Sequence, residues 1–190
     1  VACDSVVLVV DTNSQAVVAT IQQGNGLGIA FSNDGQWALM NELHSRWLYG
    51  RPPWPTYGVV VAKNTRTYES VILLAEIDLY LNQIITHPAA PIAYAGFGNS
   101  ILTIDTSELA RRDISAIYTQ ETPLIKLKIA PSGWWILANT AQKLLAIHTV
   151  RPLVRTVLNT NVRDMTFLHN GAAAFAVSGN SLITLDGDTF

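Results

Sequence analysis

Three aspartates, Asp11, Asp105 and Asp186, each end an apolar run, and His148 stands at the same place in a fourth. Carboxylates and imidazoles are the groups of acid–base catalysis and of metal binding. Both chemistries need the groups to converge on one point. One such group per apolar run, each at the mouth of a polar turn, points instead to acceptors for turn backbone N–H groups. His87 and His169 fall at matching turn positions beside Pro88 and Asn170, and the four histidines, His44 among them, fall in different repeat units or turns, poorly placed to converge on one metal ion. The serines lack a G-x-S-x-G context. Gly24, Gly26 and Gly28 alternate in GNGLG, but no helix-forming stretch follows to supply the dipole of a phosphate loop. No catalytic residue, metal site or cofactor is assigned from these residues.

A different chemistry is concentrated in NELHSRWLYGRPPWPTY, Asn41 to Tyr57. It holds Trp47, Tyr49, Trp54 and Tyr57 with Arg46 and Arg51, the side chains that dominate protein–protein contacts. Pro52, Pro53 and Pro55 stiffen the segment and so lower the entropy lost on binding. These six aromatic and arginine residues are the candidate binding site, and the expected partner is a protein. The competing expectation is that the aromatics fold back to cap their own sheet.

Around this segment the chain is written in strands. VVLVVDT (Val6 to Thr12) is echoed by VVVAKNT (Val59 to Thr65), ILTIDT (Ile101 to Thr106), LLAIHT (Leu144 to Thr149) and LITLDG (Leu182 to Gly187). The run-ending positions Asp11, Asn64, Asp105, His148 and Asp186 recur at intervals of 53, 41, 43 and 38 residues, near the period of four-stranded propeller blades. The second half of each unit places a turn between two short strands, as in AFSNDGQWALM and KIAPSGWWILA. The expected fold is therefore all-β, a β-propeller of four to five blades, divided at residues 1–27, 28–82, 83–123, 124–161 and 162–190. On this division the chain opens on the last two strands of one blade and stops before the outermost strand of another. It is then expected to be part of a larger propeller. Ser70 to Ile85 is rich in Leu, Ala and Glu, yet its alternation favours strands over a helix. SELARR (Ser107 to Arg112) suits one helical turn, and one of Trp134 and Trp135 is expected in each of two neighbouring cores.

VVDTNSQAVVATI followed by GIAFSNDG resembles the YVTN-type β-propeller repeats of bacterial and archaeal proteins. The first unit and ILTIDT carry the motif; the other units share the spacing. The resemblance implies a propeller and an exported setting, periplasmic, extracellular or at the cell surface. Such families include binding modules and enzymes alike. The leading expectation is a non-catalytic binding or assembly module, possible as a subunit of a larger complex. The alternative is a fragment of a lactonase- or dehydrogenase-like propeller enzyme with its site at the central channel. The inner strands would supply that site, but they offer Gly28, Gln83, Leu124 and Val162, poor material for catalysis.

Composition narrows the partners. Only 14% of residues are charged and the formal net charge is −2, so no basic face for nucleic acid is expected. Pairs such as Arg111-Arg112 and Lys126/Lys128 are scattered. Cys3 is the only cysteine, which excludes an internal disulfide within these residues. No apolar run approaches the roughly 18 residues of a membrane-spanning helix.

Overall fold

The computed structural model describes residues 2–3, 6–22, 25–45, 56–77, 81–111, 113–119 and 122–187. They form five antiparallel sheets in chain order, with no α-helix among the described residues. The first sheet contains β1 (Ala2–Cys3), β2 (Val6–Val10) and β3 (Val17–Gln22). The second is β4 (Asn25–Phe31), β5 (Trp37–Ser45), β6 (Thr56–Asn64) and β7 (Ser70–Ile77). The third is β8 (Leu81–Thr86), β9 (Ile92–Phe97), β10 (Ser100–Asp105) and β11 (Ile114–Thr119). The fourth is β12 (Leu124–Ile129), β13 (Trp135–Thr140), β14 (Leu144–His148) and β15 (Val154–Leu158). The fifth is β16 (Asp164–Phe167), β17 (Ala173–Ser178) and β18 (Ser181–Asp186). Every strand pairs with its neighbour in sequence, and none of the sheets closes on itself. One detail differs from the sequence expectation: a short strand, β1, precedes the first expected strand. Ser70–Ile77 and Leu81–Thr86 are both strands, as the alternation in this stretch leads one to expect. SELARR contributes one 3-10 turn at Leu109–Arg111.

The sheets pack face to face. Leu39, Val60 and Ala62 of the second meet Ile84, Ala95 and Ile104 of the third. Tyr94 and Ile101 on the other face of the third meet Leu127, Ile136 and Leu145 of the fourth. Leu137, Leu144 and Ala146 then meet Val162, Met165, Ala174 and Ala176 of the fifth. Middle strands are thus buried on both faces, which explains near-continuous apolar runs such as LLAI where a half-exposed strand would alternate. β4, β8, β12 and β16, the first strands of successive sheets, lie beside one another. Gln83 accepts a hydrogen bond from the Leu127 backbone N–H (3.0 Å), tying the third sheet to the fourth, and Asn139 donates from Nδ2 to the Val162 carbonyl (2.5 Å), tying the fourth to the start of the fifth.

The turns explain the paired residues at each run end. Asp11 Oδ1 accepts from the N–H groups of Asn13 and Ser14 (3.0 and 2.7 Å), and Asn64 Oδ1 from those of Arg66 and Thr67 (2.9 and 3.0 Å). Asp105 accepts from the Ser107 N–H (2.8 Å) and hydroxyl (2.6 Å). The threonine that follows ties this turn to the neighbouring one. Thr65 and Thr149 donate from Oγ1 to the carbonyls of Gly35 (2.8 Å) and Gly133 (2.9 Å). Gly35, Gly133 and Gly171 adopt φ of 68°, 79° and 75°, a left-handed geometry that disfavours side chains.

Candidate functional site

The second sheet is taller than the others at one end. In the third and fifth sheets the middle hairpin ends with Phe97 opposite Ser100 and Ser178 opposite Ser181. Matched from the start of the strand, these ends correspond to Glu42 opposite Val59 in the second sheet. There the pairing continues through Leu43–Gly58, His44–Tyr57 and Ser45–Thr56. At roughly 3.3 Å per residue this carries the ribbon about 10 Å farther. β7 follows it, with Ile77 opposite Tyr57, and β4 begins with Asn25 opposite Leu43. β4 and β7 therefore flank the base of the extension, and at the His44–Tyr57 level three adjacent strands, β5, β6 and β7, run side by side, wide enough to hold their shape.

This corrects the expected loop from Asn41 to Tyr57. Residues 41–45 and 56–57 are strand, and only 46–55 connect them. Asn41 is fully buried and Glu42 nearly so, because both lie inside the stacked part of the sheet. Arg46, Trp47, Tyr49, Arg51 and Trp54 fall within 46–55, outside the described residues. Tyr57 lies in β6, its backbone between His44 of β5 and Ile77 of β7. The structure thus places the ends of the candidate segment at the tip of a braced ribbon.

The ionisable groups elsewhere are engaged by local structure. Hydrogen bonds from Ser14 and Asn13 hold the Asp11 carboxyl below the usual range, and the Ser107 hydroxyl and N–H do the same for Asp105. The Ser32 hydroxyl and Gln36 N–H lower Asp34, and Lys126 lowers Asp164 across a 2.9 Å ion pair between β12 and β16. Two imidazoles take the place of carboxylates. His148 Nδ1 accepts from the N–H groups of Val150 and Arg151 (3.2 and 3.1 Å), and His87 Nδ1 from those of Ala89 and Ala90 (3.1 and 2.8 Å). An acceptor nitrogen carries no proton, so both rings are neutral with the proton on Nε2. Burial pushes both imidazoles below their ordinary range, with a further push on His148 from Arg151. Among the described residues, no three or more His, Cys, Asp or Glu side chains gather as a metal site would require.

His148 also shows where the sequence misjudged a tryptophan. Trp135 meets the imidazole edge-on at 5.0 Å and packs against the core between the fourth and fifth sheets. Trp134 lies in the preceding turn, 52% exposed, with its ring 5.9 Å from His148. Strand alternation assigned one tryptophan of the pair to each of two cores. The strand begins one residue later, so Trp134 has a turn position and no sheet face. Of the inner-strand residues weighed for catalysis, Leu124 and Val162 are buried in the sheet cores and Gln83 is bonded to Leu127.

No helix among the described residues is long and apolar enough to cross a membrane. Compared with known proteins, the chain matches no family model and no curated sequence.

Proposed function

We propose that the five sheets are blades of a propeller and that the chain is a protein-binding module acting through the tip of the β5–β6 ribbon. The observation that carries this reading is the braced extension of the second sheet, ending in a segment of two tryptophans, a tyrosine and two arginines. A protruding rigid ribbon presents side chains at little entropic cost, and these residue types supply most of the binding energy in protein interfaces. Asp11, Asp105, His87 and His148, by contrast, are occupied as acceptors in the turns at the opposite end of the sheets. A propeller offers a rigid frame for such a tip, and the motif resemblance favours an exported or cell-surface setting for it.

The test compares the wild-type chain with the Trp47→Ala/Trp54→Ala double variant in pull-downs from the source organism, alongside thermal melts of both. Loss of a specific partner with an unchanged melting temperature is the expected result. A melting temperature lowered by several degrees would place the tryptophans in a core and overturn the assignment.

A further inference from the structure

Among the described residues the fifth sheet is one strand narrower than the second, third and fourth. In those three sheets the third strand, β6, β10 or β14, pairs on both sides, with β7, β11 or β15 along its outer edge. β18 is the third strand of the fifth sheet, and among the described residues it pairs with β17 alone. One bond fixes the direction of its backbone groups. The Gly187 N–H donates to the Ala172 carbonyl, next to the start of β17 (3.1 Å). These groups alternate along a strand, so the N–H and C=O of Leu182 and Thr184 point to the outer edge. Edges of this kind are ordinarily blunted by charge, proline or a bulge. Residues 181–185 carry neither charge nor proline, and their register with β17 is unbroken.

The chain itself shows what fits such an edge. Counted back four from the run-ending residue, Leu182 matches Val60, Ile101 and Leu144. Those three are fully buried, whereas Leu182 is 67% exposed. Across the outer edge they pair with Leu74, Tyr118 and Leu158, a large apolar residue each time. At the same step each outer strand is bulged, and the extra residue is also apolar: Leu73, Ile117 or Val157. Two adjacent apolar side chains opposite this position are therefore the rule in the chain's complete sheets. The fourth sheet is one strand wider than the fifth, which limits the occupant. A second copy of β18, paired antiparallel here, would carry its own β15 into the space held by β14 and β15 of the first. A single strand meets no such obstacle.

We propose that the outer edge of β18 takes up an extended segment of a partner protein as an added antiparallel strand. The segment spans about six residues, the length of β11, and sets two adjacent large apolar side chains opposite Leu182. Main-chain bonds to Leu182 and Thr184 supply the affinity, and contact with the Leu182 side chain supplies the choice of sequence. This edge lies in a different sheet from the β5–β6 tip and does not depend on what the tip binds.

The chain's own outer strand provides the probe, a fluorescein-labelled peptide of the sequence LVRTVLN, residues 153–159. Fluorescence anisotropy with the whole chain should show saturable one-to-one binding. A control peptide with serine in place of Val157 and Leu158 should bind about tenfold more weakly or less, the worth of the apolar contact. Thr184→Pro removes an outward N–H and leaves the β17 pairing intact, so it should abolish binding without a large change in melting temperature. Leu182→Lys should weaken binding about tenfold, and it decides the matter should the proline variant fail to fold. Absence of saturable binding, equal affinity for the serine control, or undiminished binding by both variants would overturn the proposal. Sedimentation showing self-association that Leu182→Lys removes would assign the edge to a second copy and overturn it as well.

Discussion

Acid should loosen the turns built on His87 and His148, because each ring must stay neutral to accept its two backbone N–H bonds. Protonation at Nδ1 turns the acceptor into a donor facing two donors. Each bond is worth about 0.5–1.5 kcal/mol net, and the lower end applies because water reaches both turns. Two bonds at each of two rings then give about 2 kcal/mol at stake, or roughly 4–8 °C in melting temperature for a chain of this size. The sign follows from the direction of the shifts. Both folded-state values lie below the ordinary 6.5, so the folded chain binds fewer protons than the unfolded chain in that interval. The stabilisation is fully present above about pH 6.5 and is lost as pH falls through the folded-state values. The assay is urea denaturation at pH 8 and pH 5 for the wild type and for His87→Asn/His148→Asn. Asparagine keeps the acceptor, as Asn64 shows at the equivalent turn, and does not titrate. Removing the His87 ring also empties space beside Gly133, but that offset is the same at both pH values. The wild type should lose about 2 kcal/mol more than the double variant between the two conditions. Parallel losses in the two proteins would refute the reasoning.

Two further outcomes are expected. Gly187→Ala should destabilise the chain by about 3 kcal/mol, the upper end for overpacking, because a Cβ there would meet the Gly171 carbonyl oxygen, a backbone atom that cannot swing aside; urea denaturation reads this directly. Lys126→Met should cost at most about 1 kcal/mol, since the Lys126–Asp164 pair is largely exposed, and the difference from the wild type should vanish in about 1 M salt.

Strand positions were legible because burial leaves a strong mark on sequence. VVLVV, ILTID and LLAIH are apolar on both faces, and the residues that end them must cap a turn, so pattern and turn chemistry agree. The same logic identified Asp11, Asp105 and His148 as turn acceptors before any geometry was available. The reach of the β5–β6 ribbon was not legible. NELHS and TY carry polar and mixed residues, and they are strand because pairing with β4 and β7 satisfies their backbone, a tertiary reason with no local trace. The misplacement of Trp134 has a similar origin. A strand boundary one residue later moves a side chain off the sheet, and a pair of adjacent tryptophans does not reveal where the boundary falls.

What the sequence alone determined is therefore the order and identity of the strands, the chemistry of the turns that join them, and the concentration of contact-prone side chains between residues 46 and 55. These are properties of short stretches, governed by hydrophobic periodicity and by hydrogen bonds across two or three residues. Only the tertiary structure decided that three sheet interfaces fill with continuous buried cores while a space of about 250 Å³ remains between the first and second sheets, and that the β5–β6 ribbon runs three residue pairs farther than its counterparts in the third and fifth sheets. Those outcomes depend on how residues far apart in the chain meet face to face. Val7 and Ala38 lie in different sheets, and whether their side chains touch or leave a gap is set by the spacing of whole sheets.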